Sequence, residues 1–420
     1  MVRQILCSGA VVSAVLFAQT QGPLTLDDCI RLAQSAQSNV DIARRQVEIA
    51  RHGITQARAG FLPQAFIGSG FTYNSPVKNG DLSFIALNGV REYQALGNVA
   101  MDIDTSGRLR AQLARARADQ DIAAAGLGVT QRDLRRAVAT AYYRVLLGRR
   151  LVEVTRASLD EAQAFERRTR LLAENGEAAR ADVVKAAAES AFLQQALNAA
   201  DLEAQLANHE LASFWTTEVE RPLTLVDVLA QTPPAPEPTQ PNAPYRARLE
   251  FRLFEAQRRG FQADARRVRA DLYPQLSLVQ QYGIDSSRLS WKDRGYASFI
   301  NLRIPVFDWF KTRSAARQFD LQAQQVDINR QVTERTFSRD YRDALSRVES
   351  IYGQIAIADT QVKLSEENYR LARIRYEGGE GTALDVVSAQ TQLAQARSNY
   401  FTAKANYFNA RADLEVTSGR

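Results

Sequence analysis

The stretches Asn175-Gly176-Glu177 and Asp182-Val183-Val184 decide the fold, because the chain repeats them as Gly378-Gly379-Glu380 and Asp385-Val386-Val387. Asp385 follows Asp182 by 203 residues. The same offset relates further positions without a gap over about 70 residues. A repeat this long lies outside the roughly 20 to 50 residue periods of solenoid proteins. The sequence therefore indicates an ancestral duplication that produces two equivalent walls of one structure.

A second pair of matching segments lies upstream of these stretches. Leu62-Pro63-Gln64 corresponds to Tyr273-Pro274-Gln275, and alternating apolar residues follow both. We therefore expect a first structural repeat at 23–231, a Pro-rich linker at 232–244 and a second repeat at 245–420. Each repeat should hold a β-hairpin and a helical hairpin, with β-hairpins at about 62–104 and 273–307 and helical tips near 175–176 and 378–381.

The first 22 residues are typical of a secretory signal peptide. Arg3 precedes an apolar run from Ile5 to Phe17, which is too short to span a bilayer. Cleavage soon after Ala18 would export the mature chain. Neither Cys7 nor Cys29 follows the small-residue pattern of a lipoprotein cleavage site, so we do not expect a lipid anchor.

Composition and motifs argue against an enzyme or a nucleic-acid-binding protein. The chain holds 53 Lys and Arg against 47 Asp and Glu, and the two signs alternate along amphipathic segments instead of forming one basic face. His52 and His209 lack Cys or carboxylate neighbours at metal-ligand spacing. The sequence has no nucleophile elbow, zinc motif or dinucleotide fingerprint. We expect no catalytic residue, no cofactor, no metal and no nucleic-acid partner.

Long amphipathic helices dominate the mature chain. At about 1.5 Å per residue, the two longest reach roughly 100 Å each, and two half-length helices stacked end to end would cover one of them. Alanine-rich faces allow close approach, which favours a coiled-coil bundle. A soluble coiled-coil scaffold would explain the helices equally well. The predicted helices run from Thr25 to about Gly60, Ser106 to Glu174, Ala179 to Trp215, Tyr245 to Asp271, Thr312 to Glu377 and Thr382 to Val416.

Four predicted strands interrupt this helical pattern. Each is about as long as the ~9 to 11 residues that cross a bilayer in a tilted barrel. Aromatic residues near their ends are placed as interfacial aromatics would be: Tyr73, Tyr93, Tyr282, Trp291, Tyr296, Phe307 and Trp309. The alternative is a pair of ordinary hairpins that cap a helical bundle. The predicted strands are Phe66–Tyr73, Tyr93–Asp104, Leu276–Tyr282 and Ser298–Ile304.

Four strands cannot close a membrane barrel. Unpaired backbone groups in hydrocarbon cost several kcal/mol each, and single-chain barrels begin at about eight strands. The chain would therefore have to pool strands from several copies. Two copies would give a small barrel filled by side chains, whereas three would give twelve strands and room for an aqueous lumen.

The chain resembles the TolC family of outer-membrane efflux proteins over nearly its whole mature length. The resemblance rests on Arg375–Thr382 and Leu384–Gln390 at one helical tip, and on Leu62-Pro63-Gln64, Tyr273-Pro274-Gln275 and Ile304–Asp308 around the strands. It implies a mainly α fold with a membrane β-barrel portion. Duplicated coiled-coil helices and two β-hairpins per protomer would build a trimeric tunnel.

The function implied by this resemblance is a passive outer-membrane export duct of a tripartite efflux or type I secretion system, gated at its periplasmic end. The implied partners are two further copies of the chain, a periplasmic adaptor, an inner-membrane pump reached through that adaptor, and outer-membrane lipid. A long portion would lie in the periplasm. The alternative is a periplasmic coiled-coil scaffold or adaptor without a pore. The sequence does not choose between drugs, metal ions and polypeptides as cargo.

The helical tips and the hairpin boundaries are candidate functional positions. Helix pairs must reverse within a few residues at the tips, and glycine supplies the backbone conformations that this needs. A phosphate-binding loop at Gly378–Gly381 is disfavoured, because no Lys-Ser/Thr follows and no strand precedes it. The resemblance implies that an adaptor contacts the tips. The tip residues are Asn175, Gly176, Gly378, Gly379, Glu380 and Gly381, and the boundary residues are Pro63, Pro274 and Pro305.

The resemblance also implies a periplasmic gate. Asp182 and Tyr376 correspond to a hydrogen-bonding pair that helps to hold the entrance closed, and Asp385 corresponds to an acidic ring that constricts the tunnel. Three copies of Asp385 around an axis would favour cations in a narrow aqueous passage.

Two family gate positions differ in this chain. The second position of the acidic ring is Ser388, and Gly381 replaces an arginine of some members. Arg180 and Lys185 flank Asp182 on the same helical turn and are candidates for the missing cation, although solvated surface charges explain them equally well.

Overall fold

The structure is a computed structural model that describes residues 22–75, 89–236 and 244–419. The predicted signal peptide, apart from Gly22, lies outside the described residues, as does the middle of the predicted Pro-rich linker, 237–243.

The chain is mainly helical, as predicted. None of the described helices combines the length and the apolar character needed to cross a membrane. The helices are Leu26–Ser35 (α1), Asn39–Ala59 (α2), Arg108–Glu174 (α3), Arg180–Ala212 (α4), Leu249–Ala270 (α5), Lys311–Glu377 (α6) and Ala383–Thr417 (α7).

The first predicted helix is wrong in one respect, because the structure divides it into α1 and α2. Ala36 is extended with ψ of 158°, and Ser38 begins a new helix. The Ser38 hydroxyl accepts a hydrogen bond from the Val40 amide at 3.3 Å, while the Asp41 carboxylate accepts one from the Ser38 amide at 3.3 Å. This capping box satisfies amides at the start of α2, and its signal was present in the sequence.

All four predicted strands are present and form one antiparallel sheet in the order β1-β2-β3-β4. Pro63 and Pro274 stand directly before β1 and β3, and Pro305 follows shortly after β4. Proline has no N–H to donate to a neighbouring strand, which suits these boundary positions. The strands are Gln64–Tyr73 (β1), Arg91–Ile103 (β2), Gln275–Ser286 (β3) and Arg294–Arg303 (β4).

The chain forms two compact units, and each unit takes segments from both halves of the sequence. Of the described residues, the first unit takes those within 22–36, 138–235 and 352–408, and the second takes those within 37–137, 236–351 and 409–419. These units therefore do not follow the repeat boundaries at 23–231, 232–244 and 245–420, which stay a prediction. The sheet lies in the second unit, and both helical tips lie in the first.

Close helix packing shapes the first unit. A Cβ added to Gly148 on α3 would lie 3.1 Å from Cα of Ala204 on α4, so the glycine allows the two backbones to approach. Tyr142 is fully buried, and its hydroxyl donates to the Val226 carbonyl at 2.6 Å.

In the second unit, ion pairs join α3 to α5. Arg115 contacts Asp264 at 2.7 Å, and the largely buried Arg132 contacts Glu250 at 2.9 Å. Since the second pair is largely shielded from water, removing either partner would leave a poorly solvated charge between the two helices.

Candidate functional site

One face of the sheet is mainly apolar from β1 to β4. The antiparallel register places Met101 beside Leu278 and Leu278 beside Ile300, and the neighbouring rows are also mostly apolar. Ile67 and Ile300 are 86% and 74% exposed, so the described chain does not cover this face. A contiguous apolar surface of this kind marks contact with lipid or with another protein. Its large apolar side chains are Ile67, Phe71, Tyr73, Tyr93, Val99, Met101, Ile103, Leu276, Leu278, Tyr282, Ile284, Tyr296, Ile300 and Leu302. One row of this face also holds the hydrogen-bonded polar pair Ser298 and Gln280.

The opposite face of the sheet is mainly polar. The Gln281 side-chain amide donates to the Asn98 side-chain oxygen at 2.8 Å between β3 and β2. The large apolar exceptions on this face are Phe66, Leu96, Val279 and Phe299. Strands that alternate between an apolar and a polar face are typical of a wall between lipid and water. The polar positions include Thr72, Glu92, Gln94, Asp102, Gln275, Ser277, Asp285, Asn301 and Arg303.

The two helical tips have the same backbone geometry. Gly176 and Gly379, 203 residues apart, have φ of 81° and 77°, the left-handed region that glycine adopts without a steric penalty. The Glu177 amide donates to the Leu172 carbonyl at 2.8 Å, and the Glu380 amide donates to the Arg375 carbonyl at 2.9 Å. Each pair is the six-residue hydrogen bond of a Schellman turn.

The second tip has a further turn constraint at Gly381. Its amide donates to the Arg375 carbonyl at 3.0 Å, and an added Cβ would lie 3.1 Å from the Tyr376 nitrogen. Glycine at this position therefore allows the chain to fold back closely against the end of α6. A side chain at position 381 would have to displace this backbone.

Asp385 is exposed and acts as a helix cap. Its carboxylate accepts hydrogen bonds from the Thr382 amide at 3.0 Å and from the Thr382 hydroxyl at 2.8 Å. The Asp385 amide donates back to the Thr382 hydroxyl at 3.2 Å. These bonds lower the pKa of Asp385 below its ordinary value. The carboxylate is therefore already engaged at the start of α7.

Asp182, the repeat equivalent of Asp385, lacks this partner. Ala179 stands where the second repeat has Thr382, and it makes no side-chain cap for α4. Among the described residues, the Asp182 carboxylate has no hydrogen bond or ion pair. One threonine therefore distinguishes two aspartates that have the same position in the repeat.

We expect Thr382→Ala to loosen the first turn of α7. Losing a threonine cap costs about 1 kcal/mol, so amide exchange there should accelerate by roughly fivefold. The matched change Ala179→Thr should slow exchange at the start of α4, because it supplies Asp182 with a capping partner. Hydrogen–deuterium exchange followed by mass spectrometry measures both.

Because the pKa of Asp385 is lowered, its cap is complete at neutral pH and is lost only as the pH falls through that lowered value. Identical exchange in both variants and wild type would contradict this role.

Tyr376 packs into an apolar cluster in the first unit. Its ring centroid lies 5.2 Å from that of Phe165 in an edge-to-face arrangement, with Ala383 and Val386 nearby. The Tyr376 hydroxyl is buried and has no hydrogen-bond partner among the described residues. The predicted pair of Asp182 and Tyr376 is therefore not bonded within a single described chain, and its role in a gate stays a prediction.

The candidate cations beside Asp182 also remain unpaired in the described part of the chain. Arg180 is exposed and Lys185 is half-buried, and neither forms an ion pair there. Within the described ranges, no group of three or more His, Cys, Asp or Glu side chains is placed to hold a metal ion.

Sequence reasoning missed two exposed apolar seams in the first unit. On α6, Ile357, Leu364 and Leu371 recur every seven residues and remain exposed. Ile357 and Leu364 line a groove of about 640 Å³ together with Thr360, Asn368 and Gln392. The seven-residue spacing was the available signal, but buried apolar residues on other faces of α6 obscured it.

The second seam lies on α4. Phe192, Leu202 and Leu206 are exposed, and with the exposed Ala199 they follow the alternating three- and four-residue spacing of a coiled-coil contact. Both seams therefore have the pattern of helix–helix interfaces and lack a partner helix within the described chain.

Comparison with known proteins shows which family the chain matches. The sequence profile described as "Outer membrane efflux protein" matches residues 29–216 and 247–420. The cobalt-zinc-cadmium resistance protein CzcC of Cupriavidus metallidurans is 24% identical over 94% of this chain and 89% of its own length.

Solved structures share the fold. The outer membrane channel CmeC of Campylobacter jejuni superposes with a TM-score of 0.84 at 16% identity, covering 94% of this chain and 85% of that one. The open state of the Neisseria gonorrhoeae MtrE outer membrane channel gives a TM-score of 0.80 at 19% identity, covering 94% and 88%.

Proposed function

We propose that this chain, which belongs to the outer membrane efflux protein family, forms a homotrimeric duct that carries cargo passively through the outer membrane. The family consists of outer-membrane efflux channels rather than enzymes. The observation that carries the proposal is the two-faced sheet, with Ile300 exposed on an apolar face and Asn301 on a polar one.

The trimer follows from the edges of this sheet. β1 and β4 are its edge strands, and their unpaired backbone groups would be costly in hydrocarbon. Pairing β4 of one copy with β1 of the next closes the wall. Three copies supply twelve strands, which leave an aqueous lumen, whereas two copies give a barrel filled by side chains.

The exposed seams support the same assembly. The α4 seam at Phe192, Leu202 and Leu206 and the α6 seam at Ile357, Leu364 and Leu371 have complementary coiled-coil spacing. Because they lie on different helices, contact between them from neighbouring copies is head-to-tail, which is the type of contact that a closed ring of copies requires. The same contact would bury both apolar surfaces.

Family membership supports the remaining parts of the proposed system. The tips around Gly176 and Gly379 would meet a periplasmic adaptor, and through it an inner-membrane pump that supplies the energy. A long portion of each copy would lie in the periplasm.

Relatives do not define one cargo. At 24% to 25% identity, their names cover cobalt-zinc-cadmium resistance, toluene efflux and pyoverdine export. A passive duct accommodates this range because the partner pump selects the cargo and provides the energy.

The test combines mass in solution with planar-bilayer conductance of detergent-purified protein. We expect the mass of a trimer and small channels in the wild type. Asp182→Ala and Tyr376→Phe should enlarge these channels if the two residues hold the gate. Glu177→Ala, at an exposed tip position, is the control and should leave conductance unchanged.

Three results would separate the alternatives. A soluble monomer or dimer without conductance would contradict the duct and favour a periplasmic coiled-coil scaffold. A conducting trimer whose channels are unchanged by both gate variants would keep the duct and remove the proposed gate. If Glu177→Ala also enlarged the channels, substitutions anywhere at the tip would open the channel. The effect of the two gate variants would then not identify Asp182 and Tyr376 as the gate.

A further inference from the structure

Four large apolar side chains interrupt the polar face of the sheet, and they form two pairs. Val279 on β3 is the register partner of Phe299 on β4. Leu96 on β2 is the register partner of Gly68 on β1, so it lies diagonally beside Phe66. One pair therefore stands at the β4 edge of the sheet and the other at the β1 edge.

Both pairs are accessible in the described chain. Phe66 is 57% exposed and Phe299 is 44% exposed, while Leu96 and Val279 are half-buried. Scattered apolar residues are common on protein surfaces, whereas a contiguous apolar patch marks a contact site. Whether the two pairs form one patch depends on how the edges of the sheet meet between copies.

The two edge strands match each other along the apolar face. β1 and β4 each contain ten residues. When β4 of one copy pairs with β1 of the next over all ten, Ser298 lies opposite Ser69, and these are the only small polar side chains that the two strands place on that face. A shift of two residues, the smallest that keeps both faces aligned, would instead place Ser69 opposite Ile300 or Tyr296. Full overlap is therefore the favoured register.

The same register fits the polar face. It places the Phe299 ring opposite Gly68 of the next copy, where an added Cβ would meet only the Asn98 side chain, at 4.0 Å. The missing side chain leaves room for the ring, and an aromatic residue beside a glycine is a favourable cross-strand pair. The register therefore joins the pair at the β4 edge of one copy to the pair at the β1 edge of the next.

We infer that the two pairs form one apolar patch at each junction between copies, on the wall of the lumen, and that this lumenal patch binds uncharged aromatic cargo. The inference rests on the proposed trimeric duct. Two phenyl rings, one from each copy, offer an aromatic molecule offset or edge-to-face contacts. The other side of the molecule stays in water, so the contact is weak enough for cargo to leave. The patch consists of Val279 and Phe299 of one copy and Phe66 and Leu96 of the next.

The charges on this face favour an uncharged ligand. The patch side chains are neutral, and so are Asn98 and Gln281, which stand beside Phe66 on the polar face and bond to each other. A charged molecule would lose water at the patch without gaining an opposite charge from it, whereas an uncharged aromatic molecule would not pay this cost. The charged side chains of the face lie toward the ends of the strands: Glu92, Asp102, Asp285 and Arg303.

Disulfide cross-linking tests the register. In a Cys29→Ala chain, Ser69→Cys with Ser298→Cys should link neighbouring copies, because facing Cα atoms of paired strands lie about 4.5 to 5.5 Å apart, within disulfide reach. The matched pair Ser69→Cys with Ile300→Cys, shifted by two residues, should link far less. Within one copy these positions lie on opposite edges of the four-stranded sheet, so each link joins two copies.

Saturation-transfer difference NMR of the trimer in nanodiscs tests the patch. The probe is 4-nitrophenyl β-glucopyranoside, which is uncharged, aromatic and soluble in water. Its ring protons should be saturated, whereas methyl β-glucopyranoside, which lacks the ring, should show no saturation. Phe66→Ala with Phe299→Ala should weaken binding by about tenfold, because both ring contacts are lost.

Two further variants control for folding and for the face involved. Phe66→Tyr with Phe299→Tyr keeps both rings and should retain binding. Phe71→Ala removes an equally exposed ring from the apolar face of β1 and should leave binding unchanged. All variants are compared as trimers of measured mass.

The outcomes separate the patch from the duct. Linking of positions 69 and 298, with binding lost only in the alanine double variant, supports the patch. Binding that survives in this variant, or equal signals from the two glucosides, overturns the patch while the trimeric duct stands. Preferential linking of the shifted pair would show that the two apolar pairs do not meet, and it also overturns the patch alone. If neither pair links and the purified protein is not a trimer, the duct and the patch are both contradicted.

Discussion

Ile300→Lys should abolish the outer-membrane form of the protein. Ile300 is 74% exposed on the apolar face of β4, between Leu278 of β3 and the open edge of the sheet. A lysine that faces lipid costs up to about 4 kcal/mol near the middle of a bilayer, and the proposed trimer would carry it three times. We therefore expect the variant to be absent from the outer-membrane fraction and to show no heat-modifiable oligomer.

Asn301→Lys is the matched control for this change. It introduces the same charge one residue along the same strand, but on the polar face. Because that face would meet water in the lumen, the control should assemble normally and alter only the ion selectivity of the channel. Normal membrane assembly of Ile300→Lys, or equal loss in both variants, would show that the apolar face does not contact lipid.

Gly283→Ala should disrupt the pairing of β2 and β3. An added Cβ at Gly283 would lie 2.0 Å from the Ala95 carbonyl oxygen and 2.9 Å from Leu96 Cα. Both atoms belong to the backbone of the neighbouring strand, so no side chain can rotate away. Gly283 also has φ of 156°, at the limit of the region that disfavours L residues. Together the clash and the strain should cost about 3 kcal/mol or more.

Gly295→Ala provides the control because Gly295 is the register partner of Gly283 in β4. Nothing lies within 4 Å of a Cβ added there. We expect the Gly283→Ala variant to yield little trimer and to unfold at a lower temperature, while Gly295→Ala behaves like the wild type. Thermal unfolding of the purified oligomer and its yield from the membrane measure the difference. Equal stability of the two variants would contradict the strand register.

The sequence predicted the tips more completely than the gate. The sequence predicted helix reversals that depend on Gly176 and Gly379, and the structure has a reversal at each, with a left-handed glycine and matching hydrogen bonds. The gate residues depend on neighbours that sequence spacing does not reveal. Asp385 and Asp182 occupy equivalent positions, yet only Asp385 is held by a threonine, and Tyr376 is turned toward Phe165.

The sequence by itself determined the duplication, the long helices and the four strands. It could do so because hydrophobic period, caps and turn glycines are local properties of the chain. Only the tertiary structure decided that the strands form one sheet whose register separates an apolar from a polar face. It also decided which apolar positions of α4 and α6 stay exposed and that Trp309 and Phe310 are strained. These properties depend on contacts between residues distant in the chain, which local patterns do not specify.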